Sequence, residues 1–68
     1  MMNEKIGAAA GAVWRFLSEA SEPSGIIKIK TGLSLSNSEV FLALGWLARE
    51  NKIVMEAKGN TIFVSIKK

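Results

Sequence analysis

Ser36-Asn37-Ser38-Glu39-Val40-Phe41-Leu42-Ala43-Leu44-Gly45-Trp46-Leu47-Ala48-Arg49 is the stretch on which the reading of this chain turns. Ser36 and Glu39 stand three apart directly before an apolar run, the S-x-x-E spacing of a helix capping box. Val40, Ala43, Leu44 and Leu47 then recur at helical spacing and make one continuous stripe. Asn51 is a natural stop, because asparagine tolerates the left-handed backbone that closes a helix. With the stripe directed inward, Ser38, Leu42, Gly45 and Arg49 point outward, with Phe41 and Trp46 at the margins. A helix that is apolar nearly all round its middle is covered on both sides. One cover is the core of the domain; the other has to come from elsewhere.

Downstream, the sequence fixes its own pairing. If Gly59-Asn60 is a two-residue turn, glycine in first place suits type II′ geometry. Ala57 then faces Ile62, Met55 faces Val64 and Ile53 faces Ile66, so six apolar side chains share the side turned to the helices. Lys58 with Thr61, Glu56 with Phe63 and Val54 with Ser65 fall on the other side. A slip of one residue destroys this sorting.

Upstream, Ile6, Ala9, Ala10, Val13, Phe16, Leu17 and Ala20 share a helical face, which predicts a first helix from about Glu4 to Ala20 with Asn3 as its N-cap. Pro23 lies beyond its end. Residues 24–31 admit two readings. Ile27-Lys28-Ile29-Lys30 alternates like a strand. Ile26, Ile29 and Leu33 also fit one face of a short helix, capped by Ser24 and closed at a left-handed Gly32. The helical reading is preferred, and the choice stays open at this level.

Helix, helix, helix, hairpin is an order with a precedent. Thr31-Gly32-Leu33-Ser34 resembles the turn of a helix-turn-helix. Val40-x-x-Ala43-Leu44-x-x-Leu47, followed by Ile53, is similar to the third helix and wing entry of winged-helix transcription regulators. The run Phe41 to Glu50 most resembles a small, functionally uncharacterised winged helix-turn-helix family of bacteria and archaea. The resemblance spans essentially the whole chain. It implies an α+β fold, a three-helix winged helix-turn-helix with a C-terminal two-stranded β-hairpin as wing, occupying residues 1–68 as one domain. It carries almost nothing about activity.

Composition narrows the function. A chain of 68 residues buries only ~60% of its unfolded surface and usually needs a disulfide, a metal or a partner. There is no cysteine and no histidine, so disulfides, thiolate metal sites and a Ser-His-Asp triad are excluded. All six acids are glutamates, no phosphate-binding glycine loop is present, and no enzyme, cofactor or metal is expected. Gly7 and Gly11, flanked by Ala8 and Ala12, give the first helix a small-residue face of the kind that allows close helix approach, but alanine's helix propensity is the preferred explanation of it. The longest apolar run, Val40 to Ala48, is far shorter than the ~20 residues of a membrane span. With no signal-peptide layout, the expected location is the cytoplasm.

Two functional expectations follow. Hydrophobic residues make up 49% of the chain, more than one small core encloses, and oligomerisation is the stabilising device left. The first expectation is therefore a homodimer, with Phe41, Leu42, Gly45, Trp46 and Phe63 at a protein interface. The alternative is a DNA-binding transcriptional regulator. A net charge of +3 permits weak, phosphate-driven contacts through Lys28, Lys30, Ser38, Arg49 and the wing-tip Lys58, although exposed lysines also serve solubility.

Overall fold

The computed structural model describes residues 2–67. Its elements run α1 (Met2–Glu19), β1 (Ser24–Gly25), α2 (Ile26–Leu33), α3 (Asn37–Arg49), β2 (Ile53–Lys58) and β3 (Thr61–Ile66). The three strands form an antiparallel sheet in the order β1-β3-β2. α1 packs mainly on α3, and both helices and β3 enclose a core in which Val13, Leu17, Ile29, Val40, Leu44 and Val64 are buried.

The capping box that opens α3 is fully formed. The Glu39 N–H donates to the Ser36 hydroxyl (3.1 Å), and the Ser36 N–H donates to the Glu39 carboxylate (2.9 Å). At the other end Asn51 takes a left-handed φ of 60°. The Lys52 N–H then reaches Leu47 O and the Asn51 N–H reaches Ala48 O, both at 3.0 Å, which is the Schellman pattern.

α2 resolves the ambiguity of residues 24–31 by dividing it. Ser24 and Gly25 pair with Val64 and Phe63 as a third strand, and the isoleucines that follow are helical. The sheet therefore exceeds the expected two-stranded hairpin. Ser24 does not cap α2. It is buried in the sheet, and Gly25 takes the N-cap position without a side-chain bond. Nor does Gly32 supply the left-handed end. Ser34 does, at φ 54°, with the Leu35 N–H reaching Lys30 O. Gly32 has a different use: a β-carbon there would lie 2.9 Å from Phe16 Cε2, so the missing side chain lets α2 approach α1. α1 begins at Met2, so Asn3 lies inside the helix instead of capping it, and α1 stops at Glu19, one residue short of Ala20.

The hairpin register is the one the sequence predicts: Ile53 pairs Ile66, Met55 pairs Val64 and Ala57 pairs Ile62. Gly59 has φ 61° and Asn60 is not left-handed, as type II′ requires. Burial departs from expectation on β2. Ile53 is buried, but Met55 and Ala57 are exposed. The reason is sheet order. β3 is central and lies under the helices, whereas β2 is an edge strand that leaves their cover after its first residue.

Candidate protein-contact face on the third helix

α3 is divided lengthwise. Val40, Ala43, Leu44 and Leu47 are buried, while Phe41, Leu42 and Trp46 are 55%, 40% and 52% exposed. Each residue of a helix advances by about 100°, so Phe41 and Trp46 lie about 140° apart. Leu42 and Gly45 fall between them. Gly45 faces open space, since a β-carbon there would meet nothing within 4 Å. The four α3 residues expected at an interface thus share one accessible surface. Phe63, the fifth, lies on the outer side of the hairpin but is half-buried: its ring packs over Gly25, and Lys58 Nζ lies 5.8 Å from its centroid.

Phe41 also borders a groove of about 540 Å³ between α2, the start of α3 and the wing tip, shared with Ile27, Lys30, Asn60 and Ile62. Ile27 is 73% exposed, making it the most exposed large apolar side chain among the described residues. Sequence reasoning assigned it no role. As a strand residue it had no defined surroundings; on a helix with Ile26, Ile29 and Leu33 turned inward, its position is forced outward.

The candidate nucleic-acid contacts do not form one patch. Lys30 lines the groove beside the wing tip, whereas Lys28 borders a separate depression with Phe16 and Glu19 at the end of α1. Ser38 and Arg49 are exposed at opposite ends of α3, ~16 Å apart along the axis. Lys58 is at the wing tip, its amine resting near the Phe63 ring. Glu39 titrates below the usual carboxylate range because the Ser36 N–H and hydroxyl bond to it, with a smaller contribution from the positive charge of Lys5. The Glu39 carboxylate thus stands in the first turn of α3 as part of the capping box.

Three helices, a helix-turn-helix joining the second to the third, and a hairpin wing on a three-stranded sheet define a winged helix-turn-helix domain. The chain belongs to the winged helix-turn-helix domain family DUF2582, which it matches over residues 1–66. Among solved structures it is similar to protein BT2368 of Bacteroides thetaiotaomicron, with 39% identity over 97% of this chain and 79% of that one, at a TM-score of 0.83. A structure of HOP2, described for its DNA recognition and protein interaction domains, is 27% identical over 87% of this chain and 98% of that one, at a TM-score of 0.79. Human N-acetylserotonin methyltransferase is 22% identical at a TM-score of 0.77, and all of this chain matches 20% of it, a likeness of fold alone. No curated protein sequence matches. No helix among the described residues is long and apolar enough to cross a membrane.

Proposed function

We propose that this domain is a non-enzymatic protein-interaction module that forms a homodimer through the outer face of α3. The observation that carries this reading is the exposure of Phe41, Leu42 and Trp46 on the helix that a DNA-reading winged helix places in the major groove. Base edges and phosphates there are met by side chains that hydrogen-bond, and this helix offers them only at its ends, Asn37 and Ser38 at the start and Arg49 at the close, with apolar residues and glycine from Val40 to Ala48. Covering the three apolar side chains would contribute on the order of 5 kcal/mol per subunit before the costs of association. A two-fold axis needs only one self-complementary patch, and Gly45 leaves room for a partner to come close. The test is the solution mass of the chain and of Leu42→Glu across micromolar to millimolar concentration. The unmodified chain is expected to self-associate and the variant to lose the association carried by α3, its average mass at a given concentration falling below that of the unmodified chain; equal masses for the two, or a monomeric unmodified chain at millimolar concentration, contradict the reading.

A second reading, a DNA-binding regulator of transcription, is favoured by one observation: the similar HOP2 structure is described for DNA recognition. Lys30, lining the groove at the wing tip, and Lys58, on the wing itself, support this reading as candidate phosphate contacts. Such binding would be weak, tolerant of sequence and steeply weakened by salt. A labelled-duplex titration at two salt concentrations decides it. Tight binding with strong base preference at physiological salt would overturn the protein-contact reading of α3.

A further inference from the structure

β2 pairs with β3 on one side only, so among the described residues its other edge is open along Ile53–Lys58. Backbone groups alternate along an antiparallel strand. The Lys67 N–H donates to Lys52 O (3.0 Å), so residue 52 and, by alternation, residues 54, 56 and 58 turn their backbones toward β3. Ile53, Met55 and Ala57 therefore present N–H and C=O groups outward. Neither a proline nor a bulge blocks this edge. Apolar side chains stand exposed on both faces at the same point, Val54 (40%) on one and Met55 (43%) on the other.

We infer that the β2 edge pairs with the β2 edge of a second copy of this chain, antiparallel and centred on Val54, joining two three-stranded sheets into one of six strands. Charge selects the copy and the register. Centred on Val54, Ile53 and Met55 of one chain face Met55 and Ile53 of the other and exchange backbone hydrogen bonds. Val54 meets its own counterpart, and Lys52 meets Glu56 at both ends. Centring on Met55 instead sets Lys52 against Lys58 and Val54 against Glu56. Centring on Glu56 sets that carboxylate against itself. Centring on Ala57 sets Glu56 against Lys58 but puts Met55 opposite the turn residue Gly59 and leaves Ile53 and Val54 uncovered. Opposite charges across neighbouring strands attract and like charges directly opposite repel, so the Val54 register is the one that joins opposite charges to the apolar residues of the edge. The residues that interrupt the edge for an unrelated strand thus become the residues that recognise a second copy. This surface is separate from the outer face of α3 and does not depend on it.

The test follows amide hydrogen exchange and sedimentation of the full chain from micromolar to millimolar concentration, in the unmodified chain and in a Leu42→Glu background that removes the α3 face. The amides of Ile53 and Met55 are expected to gain protection as concentration rises in both backgrounds, while Ala57, opposite Asn51 and beyond the paired strand, does not. Lys52→Glu and Glu56→Lys, each placing like charges together, are expected to weaken association at least tenfold. The double exchange Lys52→Glu/Glu56→Lys is expected to restore it to within about threefold. Thermal unfolding at micromolar concentration verifies that each variant folds. Concentration-independent exchange at Ile53 and Met55, or single variants that associate like the unmodified chain, would overturn the proposal. Association abolished by Leu42→Glu alone would overturn it too and leave the α3 reading standing.

Discussion

The two faces of α3 are built from the same residue types and end in opposite environments. Val40, Ala43, Leu44 and Leu47 are buried against α1 and the sheet, whereas Phe41, Leu42 and Trp46 on the far side remain in water. The hairpin repeats the contrast between its strands: Val64 on β3 is fully buried, and its cross-strand neighbour Met55 on β2 is not. In both places apolar character extends past the reach of the molecule's own core. Hydrophobicity therefore marks two kinds of surface in this chain, one that folds it and one that its own core leaves uncovered.

Substitution on the inner face should have the largest effect. Leu44→Ala is expected to cost about 2–5 kcal/mol in urea unfolding, through lost burial and the cavity left behind. Leu42→Ala at low protein concentration should cost less than about 1 kcal/mol. Equal losses at the two leucines would erase the distinction between the faces.

The strands give the next contrast. Val64→Ala should destabilise by about 2 kcal/mol, because the side chain is fully enclosed. Met55→Ala should change the stability of the monomer by less than about 0.5 kcal/mol. A larger loss at Met55 under monomeric conditions would mean that the helices cover β2 after all.

Two glycines sharpen the comparison with effects of opposite sign. Gly32→Ala brings a β-carbon to 2.9 Å from the Phe16 ring and should cost about 1 kcal/mol despite alanine's better helix propensity. Gly45→Ala meets open space and should stabilise the monomer by about 0.5–1 kcal/mol. The same change at Gly45 should weaken the dimer, since the new methyl group occupies the approach of the partner. Thermal melts at low and high concentration separate these two consequences.

The smallest effect belongs to the capping box. Bonding to Ser36 lowers the Glu39 pKa, so its contribution to stability is present at neutral pH and is lost as pH falls through the folded-state value. Glu39→Gln, which keeps the box without the charge, should be slightly less stable at pH 7, with the difference closing on acidification. A difference that grows as pH falls would show that the charge opposes folding.

The sequence displayed most of this fold because its strongest signals are local. The Ser36–Glu39 box, the α3 stripe and the sorted pairs of the hairpin each specify structure within a few residues, and each forms as expected. What stayed hidden depends on distant partners. β1 exists only because Ser24 and Gly25 meet Val64 and Phe63 some forty residues away, and a two-residue strand has no periodicity to detect. The alternation of Ile27 to Lys30 suggested a strand in a segment that the structure makes helical. The exposure of Met55 follows from sheet order, which a hairpin pattern does not contain. For the candidate site, helical spacing placed Leu42, Gly45 and Trp46 correctly on the outside. It could not separate Lys28 from Lys30, because a strand reading puts them on one side and α2 turns them apart.

The central claim, that the outer face of α3 is a contact surface between copies of this chain, is tested most directly by sedimentation equilibrium of the unmodified chain beside Trp46→Glu. The account predicts self-association of the unmodified chain and, for the folded variant, a lower average mass at every concentration at which the unmodified chain associates. Equal masses for the two chains across the range, or an unmodified chain that stays monomeric at millimolar concentration, would contradict it.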